Sequence, residues 1–215
     1  MRVHHLINIE HGLDNLKRQR IKVSRFSELN DPFELLAIDI RNKDLRAGIR
    51  ARKTLVNNKE GLISFSKEWR NPVLWSHYGD KHRGICLSFE IPGNRLTEVQ
   101  YKVGLQKLNI NSKETTQQVI NKALDELRYT KFKDWEYEKE YRLFVKLALA
   151  KKQGEYHFIP FSDQLRLVEV ILGPSCTTPA DQIKDIVGSY EDKVWVSRSR
   201  IAFSKFGVTK DHRIK

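Results

Sequence analysis

Glu138 and Glu140 lie two residues apart, immediately before an alternating apolar segment that begins at Tyr141. If the chain is extended from Glu138 onward, alternation places these two carboxylates and Arg142 on one face and the apolar side chains on the other. An apolar face packed on a core would hold both acids at a defined separation, as acid–base or electrostatic catalysis requires. The alternative is a solvated strand end, where the acids form ion pairs with Arg142 and neighbouring lysines.

Two segments near the start of the chain carry polar side chains suited to binding. His4 and His5 lie in an expected first strand, residues 3–7, where alternation turns one imidazole inward and the other toward solvent. Asn30 and Asp31 precede a proline in a turn, where their side chains can bond to the nearby backbone and lock the loop. The same amide and carboxylate groups could instead bind a sugar or an amide of a ligand.

An aromatic segment follows an Asn-Pro pair at residues 71–72, an order that favours the start of a helix. On that helix Trp75 and Tyr78 could stack on a planar ring, although aromatic side chains at this spacing more often belong to a core. His77 is a candidate acid–base residue, oriented by Asp80 three residues later or acting with the two glutamates across a cleft. The His and Asp spacings fit neither a zinc-protease helix nor a calcium loop, so the sequence predicts no metal site.

Helices and strands that would position these residues follow from periodicity and capping signals. We expect helices at residues 9–17, 44–55, from 71–72 onward, 112–129 (with Ser112 as a candidate cap) and 178–188. We expect strands at residues 3–7, 21–26, 61–66, 84–89, 99–102, 140–147, 156–161, 167–172, 194–196 and 200–206. This mixture predicts an α+β fold, a single domain over residues 1–215 with a mixed, mostly antiparallel sheet and peripheral helices.

Charge and composition limit the kinds of partner that the protein can have. A formal net charge of +12 and a pI near 9.7 predict attraction to polyanions such as nucleic acid, anionic membranes or nucleotide phosphates. The basic residues are dispersed and no zinc finger or basic zipper accompanies them, so a solvated basic surface remains the alternative. No apolar run reaches the length of a membrane span, and the start of the chain has no apolar signal core. We therefore expect a cytoplasmic protein without a membrane partner, whose Cys86 and Cys176 are buried, reduced thiols.

Several short sequence segments, in the order in which they occur along the chain, resemble bacterial proteins grouped as domain-of-unknown-function family 2971. They cover most of the chain: His5, then residues 26–34, 64–66, 75–80 with 84–89, 99–101, 135–142 and 170–173. Relatives often occur near phage-defence and abortive-infection genes. The resemblance therefore implies a defence role, with an antitoxin or another defence protein as a partner, and it names no reaction.

The layout is also similar to that of ADP-ribosyltransferases, which carry a His or Arg on the first strand, a Ser-x-Ser on a middle strand and a Glu at the start of a late strand. The corresponding positions here are His5, Ser64, Ser66 and the pair formed by Glu138 and Glu140. The chain departs from this layout at Ile7, where a His-x-Thr pattern beginning at His5 would instead place a threonine hydroxyl.

This second resemblance implies an NAD-dependent toxin or defence effector with nucleic acid among its acceptors. Glu140 would stabilise the oxocarbenium-like state near the ribose 2′-OH, and Glu138 would activate the acceptor. The expected cofactor contacts are His5 on the adenosine ribose and Trp75 or Tyr78 on nicotinamide. Ser64, Ser66, Asn30 and Asp31 complete this set.

Two other functions remain open from the residues themselves. A nuclease-type toxin would use His77, Asp80 and the two glutamates for catalysis, and its basic surface would bind the nucleic-acid strand. A non-catalytic sensor would use the polar loops to recognise a nucleotide or a phage protein. Ligand stabilisation separates the three, because a transferase should be stabilised by NAD, a nuclease by a divalent metal and a sensor by neither.

Overall fold

The computed structural model describes residues 1–39, 43–107 and 115–212, apart from the side chain of residue 44. The strands are β1 (Arg2–Ile7), β2 (Arg20–Val23), β3 (Ile38–Asp39), β4 (Glu60–Ser66), β5 (Ile85–Glu90), β6 (Thr97–Glu98), β7 (Gln100–Lys102), β8 (Gln106–Lys107), β9 (Thr130–Phe132), β10 (Glu140–Lys146), β11 (Lys151–Gln153), β12 (Tyr156–Pro160), β13 (Arg166–Leu172), β14 (Trp195–Ile201) and β15 (Val208–Lys210). The α-helices are α1 (Ile9–Lys17), α2 (Lys43–Lys59), α3 (Pro72–His77), α4 (Thr116–Leu127) and α5 (Ala180–Val187). Short 3₁₀ helices lie at Phe26–Glu28, Gly93–Arg95, Lys133–Glu138 and Leu147–Leu149.

An eight-stranded sheet organises the chain, in the order β15-β14-β13-β5-β1-β4-β10-β6. Its neighbouring strands pair antiparallel except β13 and β14, which are parallel and are connected through α5. A smaller antiparallel sheet contains β11, β12 and β2, and two short parallel pairs join β3 to β8 and β7 to β9. The predicted α+β fold with a mostly antiparallel sheet and peripheral helices is therefore confirmed.

Local signals explain where the helices begin. Asn8 caps α1 by accepting a hydrogen bond from the His11 backbone N–H, and Asn71 caps α3 in the same way, with proline as the first helical residue. Thr115 forms a reciprocal capping box with Gln118 at the start of α4. The cap predicted at Ser112 lies outside the described residues.

Apolar side chains pack on each face of the large sheet. On one face, Leu87 and Val170 belong to a core that also contains Leu16 of α1 and Ile183 of α5. The opposite face packs against α3 and the segment before it; its members are Leu6, Trp69, Leu74, Trp75, Cys86, Ile171 and Val208. A third cluster joins α2 and α4 to Leu62 of β4. These layers fix β1, β4 and β10 side by side, which positions the candidate site.

The sheet divides between β1 and β4. β1 pairs with β5 along its whole length, from Arg2 to Ile7, whereas it pairs with β4 only where His4 faces Ser66. Further along, Leu62 of β4 instead forms a bridge with Ser24, which follows β2. The two strands therefore diverge, and a wedge opens between them in the middle of the sheet.

Two predicted elements differ from the structure. Glu138 does not begin a strand, because it ends the Lys133–Glu138 3₁₀ helix and Lys139 has a left-handed backbone with φ 44°. The predicted strand at 200–206 is instead the end of β14 followed by a loop, after which β15 returns antiparallel at Val208. Within the described parts of the chain, no helix has the length and apolar character of a membrane span.

Candidate active site

A cavity of about 240 Å³ occupies the wedge between β1 and β4. β1 and β4 contribute His4, His5, Leu6, Ile63, Ser64, Phe65 and Ser66. The other lining residues are Lys22, Ser24, Glu28, Leu29, Asn30, Glu34, Leu74, Tyr78, Lys131, Glu138 and Glu140. The fold therefore brings seven of the ten predicted site residues to one cavity, although they are widely separated in sequence.

The two glutamates meet at the wall of this cavity through a buried lysine. The Lys131 Nζ lies 2.6 Å from Glu138 Oε2 and 3.4 Å from Glu140 Oε2, and each of the three side chains is about nineteen-twentieths buried. Glu140 is the first residue of β10, whereas Glu138 reaches the same point from the end of the 3₁₀ helix. The left-handed Lys139 between them makes this convergence possible.

Arg142 holds Glu140 from the other side. Its Nε donates to Glu140 Oε1 at 2.9 Å, and its terminal nitrogens donate to the Glu34 carboxylate at 3.0 and 2.5 Å. Arg142 is completely buried, so this ion pairing is protected from solvent screening. With Lys131 and Glu138, these residues form a buried cluster of three carboxylates and two cations, which we call the acid cluster.

The pKa values of the two central glutamates are shifted in opposite directions. Burial alone would raise the pKa of Glu140, but the charges of Arg142 and Lys131 outweigh burial and hold that pKa below its usual value. Burial raises the pKa of Glu138, and Lys131 offsets only part of this effect. One carboxylate is therefore held ionised beside another that binds a proton more readily, an arrangement that separates charge stabilisation from proton transfer.

Tyr78 connects Glu138 to the Asn30 turn. The Tyr78 hydroxyl donates a hydrogen bond to Glu138 Oε1, and it accepts one from Asn30 Nδ2 at 3.0 Å. Burial and the nearby Glu138 charge raise the pKa of Tyr78, so the phenol stays protonated and acts as a donor. The turn containing Asn30 thus supports the aromatic ring that lines the cavity.

The first-strand histidines are both neutral and have different partners. His5 Nδ1 lies 2.9 Å from the Ser64 carbonyl oxygen, which can only accept, so Nδ1 carries the proton and Nε2 is left as an acceptor. Burial lowers the pKa of His5, which favours this neutral form. His4 Nδ1 lies 2.9 Å from Ser88 Oγ, and burial lowers its pKa to about 4.

Trp75, His77 and Asp31 do not line the cavity. Trp75 is fully buried in the core under α3, where its Nε1 donates to the Trp69 carbonyl at 2.6 Å, so its ring offers no stacking face. His77 is exposed on the outer side of α3, where its Nδ1 lies 3.0 Å from the Tyr137 hydroxyl. Asp31 locks its own turn by accepting from the Phe33 backbone N–H at 2.9 Å.

Two further expectations are corrected by the hydrogen bonds. The proposed orientation of His77 by Asp80 is not formed, because the Asp80 carboxylate pairs with Arg83 at 2.9 Å. Ser66 lines the cavity, but its hydroxyl donates to the backbone carbonyl of Glu138 at 2.5 Å. Ser66 therefore anchors the end of the 3₁₀ helix, whereas the Ser64 side chain hydrogen-bonds to Glu140 and helps to lower the pKa of that carboxylate.

Sequence reasoning missed Lys131 and Glu34, which complete the acid cluster. Lys131 lies in β9, which pairs with β7, and neither local periodicity nor charge distinguishes it from the many solvated lysines. Glu34 belongs to a segment noted for its turn, yet only the three-dimensional fold brings it to Arg142. Among the described residues, no group of three or more His, Cys, Asp or Glu side chains is arranged as a metal site.

Comparison with known proteins gives one similarity. The model of the family described as "Protein of unknown function (DUF2971)" matches residues 74–143, about a third of the chain. The matched segment contains Tyr78, Lys131, Glu138 and Glu140, and it supports the resemblance to this family. Neither the curated proteins nor the solved structures gave a significant match, so the comparisons provide no support for likeness to ADP-ribosyltransferases.

Proposed function

We propose that the chain is an NAD-consuming enzyme of the ADP-ribosyltransferase type, acting in the cavity between β1 and β4. It would cleave the bond between nicotinamide and the adjoining ribose and transfer ADP-ribose to an acceptor. The observation that carries this proposal is the buried pair of Glu138 and Glu140, whose pKa values are shifted in opposite directions at the cavity wall. A pair of carboxyl groups whose pKa values differ in this way can supply both roles that cleavage of a glycosidic bond requires, charge stabilisation by one group and proton transfer by the other.

Glu140 is suited to stabilise charge. When the C1′–N bond breaks, its electron pair leaves with nicotinamide, which becomes neutral, and the ribose acquires positive charge. Arg142 and Lys131 keep Glu140 ionised, so its negative charge lies beside the oxocarbenium-like state. These two cations also occupy much of its hydrogen-bonding capacity, which favours an electrostatic role over direct covalent attack.

Glu138 is suited to accept a proton. The acceptor attacks C1′, a bond forms from its nucleophilic atom, and the proton that it loses passes to the Glu138 carboxylate. A raised pKa makes this carboxylate a stronger base at neutral pH than an ordinary glutamate. Tyr78 and Lys131 each donate one hydrogen bond to it, which leaves two of its four lone-pair sites for the acceptor.

The remaining cavity residues suit the nicotinamide end of NAD. The Nε2 of His5 supplies a polar contact at this end of NAD, not at the adenosine ribose where the resemblance would place it. Ser64 lies at the lining with its hydroxyl hydrogen-bonded to Glu140, and the Tyr78 ring supplies an aromatic wall. The volume of about 240 Å³ lies below the range of roughly 300–1,000 Å³ for whole drug-sized ligands. The enclosed part would therefore hold nicotinamide and its ribose.

The test is release of nicotinamide from NAD by purified protein, followed chromatographically over time. The wild-type protein should release nicotinamide, and Glu138→Gln should lose most of the activity because it cannot accept the proton. Glu136→Gln is the matched control, because Glu136 lies on the same 3₁₀ helix but is exposed and pairs with Lys133. Release that is equal in the two variants would refute the assigned role of Glu138.

Thermal stabilisation decides between the classes of ligand. NAD should raise the melting temperature of the wild-type protein, since a ligand that binds only the native state stabilises it by mass action. Stabilisation by magnesium or manganese without any response to NAD would contradict the proposal and favour a nuclease. No response to NAD together with no nicotinamide release would remove NAD as the substrate.

A toxin or phage-defence role follows if the acceptor is essential to the cell. Induced expression of the wild-type chain in a bacterial host should then arrest growth, whereas Glu138→Gln should not. Growth arrest of equal strength in both would separate toxicity from the proposed chemistry. A co-expressed neighbouring gene that restores growth by binding the chain would identify the antitoxin partner.

A further inference from the structure

The most exposed aromatic side chains of the described residues lie at one place, in the turn between β14 and β15. Phe203 is 84% exposed and Phe206 is fully exposed, and Ile201 beside them is 53% exposed. We call residues 201–208 the hairpin tip. Large apolar side chains presented together at the surface mark an interaction site when they are fixed in place.

The hairpin tip is fixed by backbone pairing and by the core. β14 and β15 pair from Ser199 to Ile201, and the Ala202 N–H donates to the Gly207 carbonyl at 2.9 Å to close the turn. Val208 is completely buried, and its N–H donates to the Arg70 carbonyl at 2.8 Å. The aromatic rings therefore extend from an anchored hairpin.

Two basic side chains, Arg200 and Lys205, accompany these rings, whereas Lys210 pairs with Glu169 and Arg198 hydrogen-bonds to the Cys176 and Thr178 carbonyls. Residues 193–210 contain five basic residues and no acidic residue, within a chain of net charge +12. The Arg200 guanidinium lies 4.4 Å from the centroid of the Phe203 ring, and Lys205 is exposed between the two phenylalanines. A cation on one ring and a second exposed ring three residues later in the same turn provide the two kinds of group that recognise a phosphate and a base.

We propose that the hairpin tip binds single-stranded nucleic acid, with unpaired bases stacked on Phe203 and Phe206 and phosphates paired with Arg200 and Lys205. A duplex fits less well, because its bases are already stacked and do not offer their faces to the rings. Insertion into a bilayer is disfavoured as well, since Arg200 would enter the hydrocarbon together with the ring on which it lies. Charge complementarity and stacking together therefore select the single strand.

Fluorescence anisotropy with short, labelled, mixed-sequence DNA and RNA tests the proposal. The wild-type protein should bind single strands of either kind more tightly than the matching duplex, and the affinity should fall steeply with salt. Phe203→Ala/Phe206→Ala should weaken single-strand binding by about tenfold for each base stack removed. Because both side chains are exposed, the melting temperature should stay at the wild-type value.

Matched variants elsewhere on the surface control for aromatic content and charge. Tyr156→Ala removes an exposed aromatic ring that also lies 4.4 Å from a cation, and it should leave the affinity unchanged. Arg200→Gln/Lys205→Gln should reduce the salt slope by about 1.4 in log units, since each phosphate contact to a single strand contributes roughly 0.7. Lys151→Gln/Lys152→Gln removes the same charge from exposed β11 and should reduce binding less.

Three results would overturn the proposal. One is equal loss of affinity in the hairpin-tip variants and their controls, which would show only a diffuse basic surface. Another is binding to duplex that equals binding to single strands and is insensitive to the phenylalanines. The third is phenylalanine-dependent binding to anionic lipid vesicles without binding to oligonucleotides, which would make the hairpin tip a membrane contact.

Discussion

Replacement of Lys131 by methionine should destabilise the fold far more than the same replacement at an exposed lysine. Lys131 is 4% exposed, and its Nζ contacts the carboxylates of both Glu138 and Glu140. Methionine fills a similar volume and removes the charge. The acid cluster would then contain three carboxylates with Arg142 as its remaining cation.

The magnitude follows from burial. Removing one partner of a buried ion pair leaves an uncompensated charge and costs about 3–5 kcal/mol of unfolding free energy. Lys133→Met is the matched control, because its Nζ also lies 2.6 Å from a carboxylate, that of Glu136, but both side chains are about half exposed. An exposed pair of this kind contributes about 0–1 kcal/mol. The two variants should therefore differ by several kcal/mol although their contact distances are equal.

Urea unfolding followed by tryptophan fluorescence measures the difference, and pH identifies its cause. The folded-state pKa of Glu140 is lowered, so its charge stabilises the fold above its unfolded pKa, and this contribution is lost as pH falls through the folded value. The cost of Lys131→Met should therefore be largest near neutral pH and shrink in acid, as the carboxylates gain protons. Equal midpoints for Lys131→Met and Lys133→Met at neutral pH would refute the buried, charged cluster.

Three other predictions concern the site and its frame. Nicotinamide release should increase as pH rises through the raised pKa of Glu138. In the wild type the Tyr78 hydrogen bond favours the ionised Glu138 carboxylate, so Tyr78→Phe should raise this pKa further and move the increase in release to higher pH. Glu140→Gln should reduce release by roughly 10²–10³-fold and lower the melting temperature, because this residue also pairs with a buried arginine. Gly84→Ala should lower the unfolding free energy by about 1–3 kcal/mol or more, because the added Cβ would lie 2.1 Å from a backbone oxygen of β1. Gly93→Ala is the control: its Cβ would meet no atom within 4 Å, so its thermal stability should match that of the wild type.

Local patterns predicted the elements well where the signal was contained within a few residues. The helix at residues 9–17, the proline start of α3 and the alternating strand that begins at Glu140 all appear in the structure. The closing strand was misplaced because the apolar residues Ile201, Phe203 and Phe206 suggest a strand, whereas β14 ends at Ile201 and the residues after it form an exposed turn. Periodicity cannot distinguish a buried strand from a hairpin that presents its apolar residues to solvent.

The arrangement of the candidate site depends on contacts that no local pattern contains. Glu138 and Glu140 were expected on one strand face, yet they converge through a 3₁₀ helix and a left-handed Lys139. The burial of Lys131 depends on the pairing of β7 with β9, across 30 residues of sequence. The divergence of β1 from β4 is likewise a property of non-local strand pairing, because each strand alone looks continuous.

A crystal structure of the protein soaked with NAD tests the central claim most directly. We expect density for nicotinamide or its ribose in the wedge between β1 and β4, bounded by His5, Ser64 and Tyr78, with the ribose C1′ nearest to Glu138 and Glu140. Glu138→Gln crystals should retain uncleaved dinucleotide at the same place. Dinucleotide bound elsewhere on the molecule, or an empty wedge at saturating NAD, would contradict the assignment of this cavity as the active site.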